Sequence, residues 1–134
     1  MVNLEYLKRS KDEIKKSMKI FNSLNQNNIS NMLFHMQNSM LYLVDSIYGK
    51  HADVVNDYAL IKEKMQNFLD NDFFENYFLI HNMSRKEIKF ISPKNLTIIG
   101  KKPYQLNKNY FKELIIKLIT YFNNVYLKVE NNGI

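Results

Sequence analysis

Only three glycines and two prolines punctuate these 134 residues, and that scarcity constrains the fold more than any other feature. Sandwiches of strands and turns need both residues at their many tight corners, whereas helix interiors are weakened by either. The chain is therefore expected to be mainly α. Its length suits one domain, residues 1–134, which can bury a core without staples because domains of this size hide roughly two-thirds of their unfolded surface. There is no cysteine, which excludes disulfides and thiolate metal sites.

Apolar periodicity places the helices. From Leu4 to Leu24, Leu4, Leu7, Ile14, Met18, Phe21 and Leu24 form one stripe, with Lys8, Lys11, Lys15 and Lys19 opposite, the pattern of an amphipathic helix. Asn25 to Asn28 is a polar break. A second helix is expected from Ser30 to Tyr48, with a main stripe of Ile29, Leu33, Met36, Met40, Leu43, Val44 and Ile47, apolar character carried around the cylinder by Phe34, Leu41 and Tyr42, and Gly49 as its C-cap. A helix wetted on so narrow a strip is either central or packed on a second subunit. Met32, Met36 and Met40 fall at i, i+4 and i+8 and suit a flexible packing seam.

A third helix is expected from Asp53 to Leu69. A fourth, capped by Asn71 or Asp72 and carrying Phe73, Phe74, Tyr77 and Ile80, should reach Glu87. The period then shortens. Ile88 to Ser92, the turn Pro93-Lys94-Asn95 and Leu96 to Ile99 read as a short β-hairpin, and Lys101 to Pro103 as a loop. Asn107 caps a last helix from Lys108 to Val129. Short connections favour antiparallel neighbours, so the expected architecture is an antiparallel four- to five-helix bundle with a short β-hairpin inserted before the last helix.

Charge is unevenly spread within the net +6. Residues 1–24 carry six Lys/Arg against three Asp/Glu, residues 25–84 three against seven, and residues 85–128 ten against two. The result is an acidic middle and a basic C-terminal third. The longest strongly apolar runs, Met32–Phe34 and Met40–Val44, fall far short of the roughly 20 residues of a membrane span. The charged Met1–Lys19 segment does not read as a signal peptide. A cytoplasmic protein without membrane attachment is expected.

Glycines at 49, 100 and 133 cannot build a phosphate-binding loop, and there is no nucleophile elbow. Of His35, His51 and His81, no two stand at i, i+4 spacing, so neither a metal site nor a cofactor is expected. His35, beside Phe34 and Met36, reads as a half-buried helix histidine, and His51 as a solvent-exposed loop residue. His81 and Arg85 are one turn apart on one helix face. Such a pair can perform acid–base chemistry on a phosphodiester, the arginine steadying the developing charge; it can equally be the polar end of a helix, where the dipole favours cations. Arg85, Lys86, Lys89, Lys94, Lys101 and Lys102, interleaved with Phe90 and followed by Tyr104, suit phosphate binding and base stacking, or else a lysine-rich edge that discourages strand aggregation.

The segments NMLFHMQNSMLYLVDSIYGKHA, DVVNDYALIKEKMQNF and DFFENYFLIHNMSRKEIKF together resemble the HEPN superfamily, small helical bundles common in toxin–antitoxin and RNA-processing systems. That resemblance implies a homodimer built on paired long helices. In active members an arginine is followed several residues later by a histidine, and two such motifs meet to cleave RNA without metal. Arg85 matches the arginine; no histidine follows it, and His81 precedes it. The resemblance with this degenerate motif implies a non-catalytic dimeric module that binds RNA or a nucleotide-bearing partner through its basic C-terminal surface. A divergent metal-independent ribonuclease using His81 and Arg85 is the alternative. So is the protein-binding half of a toxin–antitoxin pair, facing a partner such as a nucleotidyltransferase-type antitoxin.

Overall fold

The computed structural model describes residues 2–86, 88–91 and 104–133. Five α-helices and two short strands follow one another as α1 (Leu4–Phe21), α2 (Ile29–Tyr48), α3 (Tyr58–Met65), α4 (Asn71–Ser84), β1 (Ile88–Ile91), β2 (Tyr104–Asn107) and α5 (Lys108–Gly133). The chain is thus mainly α, as its lack of helix breakers requires.

Polar caps explain where the helices begin and end. Asn3 accepts the Tyr6 N–H at 3.1 Å and opens α1. Asp70, rather than Asn71 or Asp72, caps α4 by accepting the Phe73 N–H at 3.0 Å. Asn107 caps α5 by accepting from Asn109 and Tyr110. Gly49 closes α2 at φ 84, a left-handed conformation that costs glycine little. The third helix is much shorter than its apolar pattern suggests. Asp53 accepts both the backbone and side-chain N–H of Asn56, and this local bonding competes with helix formation until Tyr58.

α2 is the central element, in contact with α1, α3, α4 and α5. Its pairing with α1 is fixed by bonds at regular intervals. The Asn3 N–H donates to the Ser46 carbonyl at 2.7 Å, the Ser10 hydroxyl to the Ser39 carbonyl at 2.6 Å, and the Ser17 hydroxyl to the Met32 carbonyl at 3.1 Å. Each step moves seven residues forward on α1 and seven back on α2, so the helices run antiparallel in heptad register. Ser10, Ser17, Ser39 and Ser46 are all fully buried. Small side chains at these points let the helices pack closely, and each hydroxyl is satisfied by a carbonyl.

The core lies around α2. Met32, Leu33, Met36, Met40, Leu43 and Val44 meet Phe73, Phe74 and Ile80 of α4 and Phe111, Ile115 and Phe122 of α5 in one buried cluster. The buried face of α1 is rotated from the expected stripe. Leu7, Ser10, Ile14 and Ser17 point inward, while Leu4 and Met18 are exposed.

β1 stands where expected, but its partner among the described residues is β2. The two run parallel, with Ile88 opposite Tyr104 and Ile91 opposite Asn107. The expected second hairpin arm, Leu96–Ile99, lies outside the described residues. Tyr104–Asn107, of which the sequence assigns a role to Asn107 alone, is thus a strand ending in the cap; the expected loop Lys101–Pro103 lies outside the described residues. The other edge of β1 is bonded by Gln26, whose side chain donates to the Ile88 carbonyl and accepts the Phe90 N–H at 2.8 Å. That amide ties the α1–α2 connection to the strand that carries Lys89.

Candidate functional site

The three histidines have three different settings. His35 is half-buried, and its Nδ1 is bonded to Glu13, which joins α2 to α1. His51 follows the α2 C-cap with its side chain 70% exposed. Its Nδ1 lies 3.2 Å from a carboxylate oxygen of the fully buried Asp45, whose other oxygen accepts the Ala52 N–H at 2.8 Å. Asp45 therefore anchors the loop after α2. Burial raises its carboxyl above the ordinary 3.8, against the lowering effects of the Ala52 and His51 bonds.

Two substitutions separate the anchor from its charge. Asp45→Ala strands the buried Ala52 N–H and should cost about 1–3 kcal/mol. Asp45→Asn keeps an acceptor for it, sheds a desolvated charge, and should fold at least as well as wild type at neutral pH. Because the folded carboxyl holds its proton to higher pH than the unfolded one, its unfavourable contribution is full above the raised value. That contribution fades as pH falls toward 3.8. Urea titrations across that window should show an acid-side gain in wild type that Asp45→Asn lacks.

His81 is different again. It lies near the end of α4, 8% exposed. Phe74, Tyr77 and His81 share one helical stripe, so the face that buries the first two buries the third. Tyr77 lies nearly parallel to its ring at 5.9 Å, and Phe78 meets it edge-on at 6.4 Å. Across the interface, the Gln37 Nε2 of α2 stands 2.8 Å from His81 Nδ1. The Gln37 Oε1 accepts from the Ser84 hydroxyl at 2.7 Å, and Ser84 also bonds back to the His81 carbonyl. Burial raises the Tyr77 phenol above its ordinary value, against a lowering effect of the nearby Gln37. Burial holds the His81 pKa below the ordinary 6.5, and the Arg85 charge lowers it further.

Two proton arrangements satisfy this contact: the Gln37 amide N–H donates to Nδ1, or, with the amide turned over, Nδ1–H donates to the amide oxygen. Burial together with Arg85 favours the neutral ring.

Arg85 is the exposed C-cap of α4. Lys86 and Lys89 are exposed just beyond it. Lys108, absent from the cluster that the sequence marks out, is also exposed, and its ammonium lies 5.8 Å from the centre of the Phe90 ring. Phe90 also packs on the buried Phe111 at 5.5 Å, so it is partly committed to the core. Tyr104 opens β2 beside Ile88. Lys94, Lys101 and Lys102 lie outside the described residues. Gln37 and Ser84 are the site residues that spacing does not single out. The one signal for Gln37 is a polar residue interrupting the buried 3–4 stripe of Leu33, Met40 and Val44.

Among the described residues no group of three His, Asp or Glu side chains is placed to hold a metal ion, and no helix is long and apolar enough to cross a membrane. No family model, no curated protein and no solved structure matches this chain.

Proposed function

We propose that this chain is a HEPN-like helical bundle that binds RNA, or a partner bearing nucleotides, through the basic surface at the end of α4, without cleaving it. The observation that carries the reading is the contrast at that surface. Arg85, Lys86, Lys89 and Lys108 are exposed cations, able to meet phosphates, while the one nearby histidine is buried and bonded through Nδ1 to Gln37.

A homodimer fits the same reading. Phe34 on α2 and Ile116 and Leu127 on α5 are large apolar side chains left exposed, on the two longest helices. Sedimentation equilibrium should report twice the 16.1 kDa chain mass, and a monomer at all concentrations would remove the dimer from the proposal.

The direct test is a titration of a labelled mixed-sequence RNA at several salt concentrations, in EDTA. Binding should weaken steeply with salt, and the RNA should stay intact. A flat salt response would sink the phosphate-contact reading. Cleavage lost in both His81→Ala and Arg85→Ala would replace it with the ribonuclease alternative.

A further inference from the structure

We propose that the groove between α1 and α5 is a docking site for an amphipathic helix of a protein partner, one that carries a row of carboxylates along one flank. The site shares no residue with the basic surface at the end of α4.

The groove arises because α1 buries a different stripe from the one its large apolar residues mark. Ser10 and Ser17 turn to α2, and Leu7 and Ile14 to the core. That rotation leaves Leu4 and Met18 exposed to 60% and 40%. Met18 and the 51% exposed Leu127 of α5 stand on opposite walls, with the buried Ile14 and Tyr126 between them. The hollow has a volume of about 410 Å³ and a mostly apolar lining. The α5 wall continues as Ile116, Thr120, Asn123 and Leu127, exposed or half-buried at steps of four, three and four. This is the spacing by which one helix receives another.

Charge indicates what covers the groove. Lys8, Lys11, Lys15 and Lys19 run along the α1 rim, all exposed, and none is in an ion pair among the described residues. Like charges on one helical stripe repel one another, and a flank of carboxylates laid beside them relieves that repulsion. From Lys8 to Lys19 and from Ile116 to Leu127 the rise is about 16 Å each, so three turns of an incoming helix match both walls. Glu130, at the end of the α5 wall, opposes a carboxylate there, which sets the direction in which the partner lies. A polyanion without apolar side chains would meet the lysines and leave the apolar lining in water.

The probe is a synthetic peptide of about 18 residues, long enough to form a helix when bound. It has leucines in heptad spacing and glutamates along one flank, and its control has lysines on that flank. Methyl NMR of the full chain reads binding. The glutamate peptide should bind one to one and shift the Met18, Ile14 and Leu127 methyls saturably, and the lysine peptide should not bind. Leu127→Gln should weaken binding on the order of tenfold, and so should joint replacement of Lys8, Lys15 and Lys19 by glutamine. All four side chains are exposed, so these variants keep the fold.

Failure of the glutamate peptide to bind, or equal binding of both peptides, overturns the proposal. So does a shift of the same methyls with protein concentration alone, because a second copy then fills the groove. RNA affinity on the same samples separates this site from the one at the end of α4. The α1 triple should lose the peptide and keep RNA, while neutralising Arg85, Lys86 and Lys89 should do the reverse. Peptide binding lost equally in both triples would mean a response to overall charge and would remove the groove as the site.

Discussion

Replacing Ser39 by leucine is expected to cost on the order of 3 kcal/mol and to lower the melting temperature by roughly 10 °C. Ser39 is fully buried at the centre of the α1–α2 contact. Its carbonyl accepts the Ser10 hydroxyl at 2.6 Å, and its own hydroxyl bonds back to Met36. A leucine there has no void to enter, so α1 must move away and the paired bonds at Asn3 and Ser17 are strained with it. Ser39→Ala is the control, since it loses one local hydroxyl bond and should change stability by about 1 kcal/mol or less. Ser10→Leu should cost as much as Ser39→Leu, and the double variant should cost less than the sum because both force the same separation. Thermal melts of the four proteins check this, and leucine tolerated as well as alanine would mean that the two helices do not pack closely there.

That seam shows where sequence reading succeeds and where it stops. The period of large apolar residues correctly marks α2, α4 and α5 and the residues they bury, because each buries a broad face of Met, Leu, Ile or Phe. On α1 the same reasoning selects Leu4 and Met18 and leaves out Ser10 and Ser17. Serine reads as a surface residue, yet steps of seven at 10 and 17 and again at 39 and 46 are a pattern that a close antiparallel pair requires. Apolar spacing overextends the third helix because it does not register the competing local bonds of Asp53 to Asn56. The strand at 104–107 escapes it because a parallel pair joins residues about a dozen or more positions apart, and no local signal carries such a register. At the site, His81 and Arg85 are legible as a spaced pair, but the hydrogen-bond partner of the His81 ring is Gln37, 44 residues away, which no local spacing points to.

Removing the charges of Arg85, Lys86 and Lys89 together should cut RNA affinity on the order of fiftyfold near physiological salt. Non-specific binders that make about six to ten phosphate contacts reach dissociation constants of roughly 10⁻⁴ to 10⁻⁶ M, which apportions somewhat under about 1 kcal/mol to each contact. Neutralising three phosphate-binding cations at once therefore weakens binding by a little over about 2 kcal/mol. The same change should flatten the log–log salt dependence by about two, since each single-strand contact contributes roughly 0.7 to the slope.

The matched control removes three exposed charges of α1: Lys8, Lys15 and Lys19. It lowers the net charge equally, so any effect of overall charge on long-range attraction is common to both triples. Phosphate binding at the end of α4 predicts a large change in affinity and slope for the first triple and a small one for the second. Equal losses would mean that the ligand responds to the field of the whole molecule, and the site at His81 and Arg85 would then have no special claim on it. A first triple with unchanged slope but weakened binding would point to broken hydrogen bonds instead of released counterions, and so to a partner that is not a polyanion.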